Sequence, residues 1–261
     1  MTAGGGGVGP APGGGEVAGA GEVAGAGEVA VVTGAARGLG RAIAAALHAD
    51  GWRVLLTDLD AAAVAGAAAE LGGWSRALDV RDEPACAEVA AEAGTRGRLG
   101  LWVNNAGVLA TGVPWSQDAA TRRRVIEINT LGAMNGTLAA LAVMRDTGGG
   151  HVLNVVSLAG LVAAPGETLY SASKHALIAF SLGTLADLRA AGVRDVHVSC
   201  LCPDGIWTPM LHDRLDDPHA AASFTGTLRT PERVAARAAR RARRPRPGVT
   251  GPRWRGAQVR L

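Results

Sequence analysis

Val29-Ala-Val-Val-Thr33 runs directly into Gly34-Ala-Ala-Arg37-Gly38-Leu39-Gly40, and this stretch says most about the architecture. The short β-branched run predicts a strand that is covered on both of its faces. The residues from Arg41 to about Asp50 predict a helix that follows the last glycine. A strand, a glycine turn and a helix in that order are typical of a phosphate cradle. Glycine lets the backbone approach a ligand closely, and the helix N-terminus presents free N–H groups.

The same alternation of strand and helix continues along the chain. Long helical segments are predicted from Thr121 to Met144 and from Tyr170 to near Gly192. Further strands are predicted at Arg53–Asp58, Ala77–Val80, Leu101–Val103, His151–Val156 and Val196–Leu201. Such alternation predicts an α/β fold, a doubly wound parallel sheet with right-handed crossovers, in a single domain.

Residues 1–27 differ from the rest, since Gly-Glu-Val-Ala-Gly-Ala recurs there with a six-residue period. Gly-rich sequence of this kind buries too little surface to offset its ordering entropy, so a disordered tail is predicted. It lacks the basic start and the apolar block of a signal peptide. Residues 28–261 are predicted to form the domain, with 209–228 as a substrate lid and 229–261 as a basic helix and strand.

Composition narrows the class of protein. The chain has 261 residues, of which 48% are hydrophobic and only 3% aromatic. No apolar run reaches the roughly 18 residues that a membrane span requires. Cys86, Cys200 and Cys202 lack the pattern of a metal site, and they are predicted to be reduced, buried thiols in a cytoplasmic protein. The Arg-rich C-terminus could bind nucleic acid or anionic lipid, but no aromatic residues are interleaved, and a solvated arginine face is the favoured interpretation.

The chemistry-bearing pair is Tyr170 and Lys174, the single Tyr and the single Lys of the chain. Four residues separate them, so on a helix they share a face. An unperturbed phenol has a pKa of about 10, and a nearby ammonium favours the phenolate and lowers that pKa. A Tyr tuned in this way can exchange a proton with an alcohol or a carbonyl oxygen. Asp58 ends the second strand about twenty residues past the glycines, where an acid binds an adenosine ribose and repels a 2′-phosphate. It therefore favours NAD over NADP.

Taken in order, these motifs resemble the short-chain dehydrogenase/reductase family over about residues 28 to 235. The glycine turn has the Thr-Gly-x-x-x-Gly-x-Gly form of the shorter, non-extended branch. Asn104-Asn105-Ala106-Gly107 is similar to the signature of the family's fourth strand. Asn129, Ser157, Tyr170 and Lys174 match its catalytic four.

The resemblance implies a role for each of these residues. Tyr170 would donate or accept the proton, and Lys174 would lower its pKa and hold the nicotinamide ribose. Ser157 would hydrogen-bond the reacting oxygen, and Asn129 would hold a water in a proton relay. The implied cofactor contacts are Thr33, Gly34, Arg37, Gly38, Leu39, Gly40, Asp58, Asp79, Val80, Asn105, Ala106, Gly107, Tyr170, Lys174, Pro203, Gly205, Ile206 and Thr208.

One position departs from the family's pattern. Pro203-Asp204 stands where the family usually has Pro-Gly, in a segment that resembles the nicotinamide loop. If glycine is needed there, Asp204 would weaken cofactor binding, and Gly205 would restore flexibility one residue later. An acid there could also contact a positively charged oxidised nicotinamide.

The expected activity is hydride transfer between NAD(H) and an alcohol or ketone, without a metal. The predicted pocket lining is mostly apolar and indicates a lipophilic substrate. It comprises Leu158, Leu161, Val162, Trp115, Trp207, Leu211 and Phe224. Two alternatives remain, an NADPH-dependent ketoreductase of a biosynthetic pathway and a dinucleotide-binding regulator without turnover. The resemblance also implies a homodimer or homotetramer built on the helices that carry Asn129 and Tyr170. Neither a nucleic-acid partner nor a membrane span is expected.

Overall fold

The structure is a computed structural model, and it describes residues 1–2, 27–244 and 248–250. Most of the predicted N-terminal tail, and the chain after residue 250, therefore lie outside the described residues. The strands within these residues are β1 Val29–Thr33, β2 Arg53–Asp58, β3 Trp74–Ala77, β4 Leu99–Asn104, β5 Gly150–Val155, β6 Val196–Leu201 and β7 Gly248–Thr250. The predicted α/β fold with a parallel sheet is confirmed, because these strands pair in the order β3-β2-β1-β4-β5-β6-β7 and every pair is parallel.

Helices cover both faces of the sheet, which is why the central strands are apolar throughout. Every residue of β1 and of β4 is buried. One core packs α1, α2 and α9 against the sheet, and a second packs α3, α5 and α6 against the opposite face. The helices are α1 Gly38–Ala49, α2 Ala61–Leu71, α3 Glu83–Arg96, α4 Ala119–Ile126, α5 Gly132–Met144, α6 Thr168–Ala190, α7 Pro209–His212, α8 Ala221–Phe224 and α9 Pro231–Arg243.

The strand order reverses between β1 and β4, and in such sheets ligands bind beyond the carboxyl ends of the strands at this switch point. The predicted third strand is displaced, since β3 ends at Ala77. Leu78 still donates its N–H to the carbonyl of Asp58 (2.8 Å), and a turn from Asp79 to Asp82 then leads the chain away. Asp79 and Val80 therefore lie just past the strand.

The helix predicted from Thr121 to Met144 is not uniform. A π-helical turn, Glu127–Leu131, separates α4 from α5. A π turn holds one residue more than an α turn, and such turns are frequent at functional sites. Here it contains Asn129, whose side chain is completely buried. A 3.6-residue pattern in the sequence does not reveal such an inserted residue.

The three cysteines, Cys86, Cys200 and Cys202, are buried and form no disulfide in the structure. Burial raises the pKa of each, to about 11 for Cys86 and about 12 for Cys202, which makes them poor nucleophiles. In the described part of the chain, no helix combines the length and the apolar character needed to cross a bilayer.

Candidate active site

A cavity of about 690 Å³ opens beyond the carboxyl ends of β1, β4, β5 and β6. This volume is typical of a pocket for a cofactor or a small molecule. Seventeen of the eighteen predicted cofactor contacts lie on its wall, and Thr33 is the exception. Ser157, Tyr170 and Lys174 line the same cavity. The fold thus brings together residues that are more than a hundred positions apart in the chain.

The glycine turn forms one end of the cavity. A Cβ atom on Gly40 would lie only 2.1 Å from the carbonyl oxygen of Gly34, so the close packing of α1 on the turn requires glycine there. Arg37 precedes α1 without capping it through its side chain. The first N–H groups of α1 therefore stay available to a ligand, as a phosphate cradle requires.

The predicted contact between Thr33 and the cofactor is wrong, because this residue lies behind the cavity wall and is 1% exposed. Its Oγ1 accepts hydrogen bonds from the backbone N–H groups of Asn105 (3.0 Å) and Ala106 (3.1 Å). The Asn105 side chain in turn donates to the carbonyl oxygens of Thr33 (2.9 Å) and Gly34 (3.0 Å). Thr33 thus joins the glycine turn to the segment after β4, and its position follows from the burial of β1 on both faces.

Asp58 lies on the cavity wall at the end of β2. Its Oδ2 accepts a hydrogen bond from the N–H of Ala36 in the glycine turn (3.0 Å), which fixes the carboxylate beside that turn. Asp79 forms an ion pair with Arg81, with Nη2 and Oδ2 2.6 Å apart. This hydrogen bond from Arg81 holds the pKa of Asp79 below its ordinary value. Both side chains therefore bring acceptor oxygens to the wall of the cavity.

Tyr170 lies on α6, and Ser157 follows the end of β5. Burial raises the pKa of Tyr170 to about 12, against a lowering contribution from the Ser157 hydroxyl. The pKa of Lys174 is lowered to about 8, again mainly by burial, and this side chain is 4% exposed. Its Nζ donates to the carbonyl of Val155 (3.1 Å) and lies 5.6 Å from the centre of the Tyr170 ring. The lowering of the phenol pKa expected from Lys174 is therefore not seen here, because desolvation sets the direction of the shift.

Asn129 is expected to hold a water in a proton relay. In the structure its side chain is not on the cavity wall, and the polar atoms of this side chain have protein partners. Its Oδ1 accepts from the N–H of Val108 (2.8 Å), and its Nδ2 donates to the carbonyl of Val108 (2.9 Å) and to Ser173 Oγ (3.1 Å). The side chain therefore ties the segment after β4 to α6. The water relay expected at Asn129 stays a prediction.

The loop after β6 contains the unusual Asp204. Its φ angle lies outside the left-handed region that favours glycine, so an aspartate fits without backbone strain. Its Oδ1 accepts from the N–H of Gly205 (3.1 Å). The glycine requirement falls one residue later, because a Cβ on Gly205 would lie 2.5 Å from the carbonyl oxygen of Ser223. The loop therefore accommodates Asp204 without backbone strain, and the expected effect of this residue on cofactor binding stays a prediction.

The segment that contains α7 and α8 packs over the cavity. Arg214 donates to the carbonyl of Leu109 (3.4 Å), and Thr111 donates to Asp217. Of the seven predicted lining residues, Leu158, Val162 and Leu211 lie on the wall, whereas Leu161, Trp115, Trp207 and Phe224 do not. Trp115 is 84% exposed. A run of apolar residues does not show which of them face a cavity.

Glu167 and Ser223 also line the cavity and were not predicted. The Ser223 backbone N–H (3.2 Å) and Oγ (2.6 Å) both donate to Glu167 Oε1. The sequence does contain a signal for Glu167. This residue is the N-cap of the helix that carries Tyr170, only three positions before it, and so lies near the first turn. No sequence signal identifies Ser223.

Comparison with known proteins identifies the family of the chain. The model of the short chain dehydrogenase family matches residues 28–219. The chain belongs to the short-chain dehydrogenase/reductase family. It is therefore a nicotinamide-dependent oxidoreductase that acts on alcohol or ketone groups.

Individual members of the family show how far the similarity extends. Sex determination protein tasselseed-2 of Zea mays is 39% identical over 191 residues, which are 70% of this chain and 56% of that protein. The 2-dehydro-3-deoxy-L-rhamnonate dehydrogenase (NAD(+)) of a Sphingomonas species is 36% identical over 63% of this chain and 67% of its own length. A Sinorhizobium meliloti structure assigned as a short-chain alcohol dehydrogenase superposes with a TM-score of 0.75 at 27% identity, covering 87% of this chain and 94% of that one.

Proposed function

We propose that the chain transfers a hydride between NAD(H) and a lipophilic alcohol or ketone, with Tyr170 exchanging the proton of the reacting oxygen. One observation carries this proposal. Ser157, Tyr170 and Lys174 line the same cavity as the glycine turn and Asp58. A group that binds a dinucleotide phosphate and a group that handles a proton thereby face one enclosed space.

The residues present fit a dinucleotide. The N–H groups at the start of α1 would hold its pyrophosphate, Asp58 would accept from a ribose, and the loop from Pro203 to Thr208 would enclose the nicotinamide. When bound, the nicotinamide supplies or receives the hydride. Tyr170 would protonate or deprotonate the substrate oxygen, Ser157 would donate a hydrogen bond to it, and Lys174 would hold a positive charge nearby.

We propose that Asn129 positions neighbouring residues and takes no direct part in the reaction. It holds Val108 and Ser173 together, and Ser173 adjoins Lys174 in α6. The remainder of the wall is suited to a lipophilic substrate, because the residues beside Ser157 and on the lid segment are mostly apolar. They are Val108, Leu109, Val156, Leu158, Val162, Met210 and Leu211. We propose residues 209–228 as the substrate lid.

The preference for NAD rests on Asp58, whose charge would repel a 2′-phosphate, and the name of the Sphingomonas relative agrees with it. We expect the purified protein to bind NADH at least about tenfold more tightly than NADPH, as followed by quenching of tryptophan fluorescence. Asp58→Asn removes the charge but keeps an acceptor for the Ala36 N–H. This variant should lose most of that preference, chiefly through stronger NADPH binding.

Asp60→Asn is the matched control, because it removes the same charge two residues away at the N-cap of α2. It should keep the preference of the wild type. Tighter binding of NADPH by the wild type would contradict the assignment of Asp58 and would favour the NADPH-dependent biosynthetic reductase.

We also propose that the protein is a homodimer or homotetramer. Ile126, Leu131 and Leu138 are 38%, 47% and 51% exposed on the segment formed by α4, the π turn and α5. Light scattering should give two or four times the chain mass of 26.3 kDa, and Leu131→Glu combined with Leu138→Glu should lower it. A monomeric wild type would refute this proposal. The three buried cysteines form no disulfide, which supports a cytoplasmic location that cell fractionation would test.

A further inference from the structure

A buried carboxylate lies beside the proposed catalytic tyrosine without a cation to balance it. Glu167 is 2% exposed and lines the cavity. It is the N-cap residue of α6, three residues before Tyr170, and both residues line the cavity. In the described part of the chain, no Lys, Arg or His side chain forms an ion pair or a hydrogen bond with it. An unpaired buried carboxylate is unfavourable, which calls for an explanation.

The two oxygens of this carboxylate have different surroundings. Oε1 is fixed by two donors from one lid residue, the backbone N–H and the hydroxyl of Ser223. Oε2 has no hydrogen-bond partner among the described residues, yet it is not one of the fully enclosed polar atoms that lack a partner. Because the residue is almost completely covered and its open side is the cavity wall, Oε2 faces the cavity.

The surroundings favour a donor rather than an anion at this oxygen. Asp204 lines the same cavity, and the negative charge of nearby Asp217 adds to the rise in the pKa of Glu167, which burial dominates. The donors of Ser223 act in the opposite direction and favour the carboxylate. A substrate carboxylate or phosphate would be repelled here, whereas a hydroxyl or an amine could donate to Oε2.

We propose that Glu167 is a specificity-determining residue, whose Oε2 accepts a hydrogen bond from a second hydroxyl or an amino group of the substrate. This inference rests on the proposed function. Glu167 and Tyr170 line the same cavity, and the negative charge of Glu167 adds to the burial-driven rise of the Tyr170 pKa, so the two groups lie near each other. The second donor therefore lies a few bonds from the reacting carbon. The substrate class is that of diols and amino alcohols, or the corresponding hydroxy- and aminoketones, on an apolar skeleton.

The test uses matched pairs of secondary alcohols, such as cyclohexanol beside a vicinal cyclohexanediol. We expect the wild type with NAD to prefer the diol by at least about tenfold in kcat/KM, because a site built around a polar contact discriminates against analogues that lack it. Glu167→Ala should bring the two values close together, and Glu167→Gln, which keeps an acceptor oxygen, should retain part of the preference.

Ser223→Ala is the control for an effect that passes through the lid. It removes the hydroxyl that donates to Oε1 but leaves the carboxylate in place, so it should keep the preference for the diol. Equal kcat/KM values in the wild type, or a Ser223→Ala variant as unselective as Glu167→Ala, would overturn the proposal.

Calorimetric titration of the same pairs separates this proposal from the proposed function. Binding does not need turnover, so a wild type that binds the diol more tightly than cyclohexanol but oxidises neither would retain the role of Glu167 and reject the proposed chemistry. Turnover of both alcohols without any difference in binding or rate would retain the proposed chemistry and reject the role of Glu167.

Discussion

Tyr170→Phe should lower kcat for alcohol oxidation by about 10²–10⁴-fold, the usual contribution of a positioned acid or base. The change removes one hydroxyl and keeps the ring, so packing around α6 should be preserved. Affinity for NADH should stay within a few-fold of the wild-type value, because the glycine turn and Asp58 are untouched. Stopped-flow kinetics and fluorescence titration together measure both quantities.

Ser157→Ala makes a useful partner to this variant. Ser157 opposes the burial-driven rise of the Tyr170 pKa, so its loss should move the pH dependence of kcat to higher pH as well as lower the rate. A Tyr170→Phe protein that turned over at the wild-type rate would show that the phenol does not carry the proton. Loss of NADH binding in the same variant would instead indicate that the fold had been damaged.

Lys174→Met should have opposite effects on activity and on stability. Activity should fall by about 10²-fold or more, because the one cation beside Tyr170 disappears. The fold should become more stable by about 1–3 kcal/mol at pH 7, because a desolvated ammonium is replaced by an apolar side chain of similar length. The loss of the hydrogen bond to the Val155 carbonyl reduces this gain. Urea unfolding of both proteins measures the difference.

The sign of the pH dependence follows from the lowered pKa of Lys174. Its pKa is about 8 in the folded protein, against an ordinary value of 10.5. The folded protein therefore binds fewer protons than the unfolded chain between these values, and the penalty for the buried charge is complete below pH 8. The stability advantage of Lys174→Met should shrink as the pH rises from about 8 to about 10.5.

Lys174→Arg provides the control for charge alone. Arginine stays charged at every pH of the experiment and is larger, so it should neither restore activity nor stabilise the fold. A Lys174→Met protein that was less stable than the wild type at pH 7 would contradict a burial penalty at this position.

Much of the site was predictable, because local patterns specify it. A β-branched run, a glycine turn and a following helix identify β1, the cradle and α1 without reference to the rest of the chain. Tyr170 and Lys174 were identified by their spacing and by being single residues of their types. Asp58 followed from the length of one strand–helix–strand unit. In each case the residues that matter lie close together in sequence.

The other features of the site depend on contacts that arise only in the folded chain. Thr33 and Asn129 belong to recognisable motifs. The sequence does not show that the side chain of Thr33 is hydrogen-bonded to Asn105 and Ala106, or that of Asn129 to Val108. The pKa of Tyr170 depends on how completely the cavity wall covers it. The hydrogen bonds to Glu167 come from Ser223, which is 56 residues away.

The most direct test of the central claim is isotope transfer. The protein would be incubated with NAD and secondary alcohols that carry deuterium on the hydroxyl-bearing carbon, and the cofactor would be analysed by mass spectrometry. We predict deuterium in the reduced nicotinamide with the wild type and almost none with Tyr170→Phe. Reduced cofactor without deuterium, or equal labelling by both proteins, would contradict hydride transfer controlled by Tyr170.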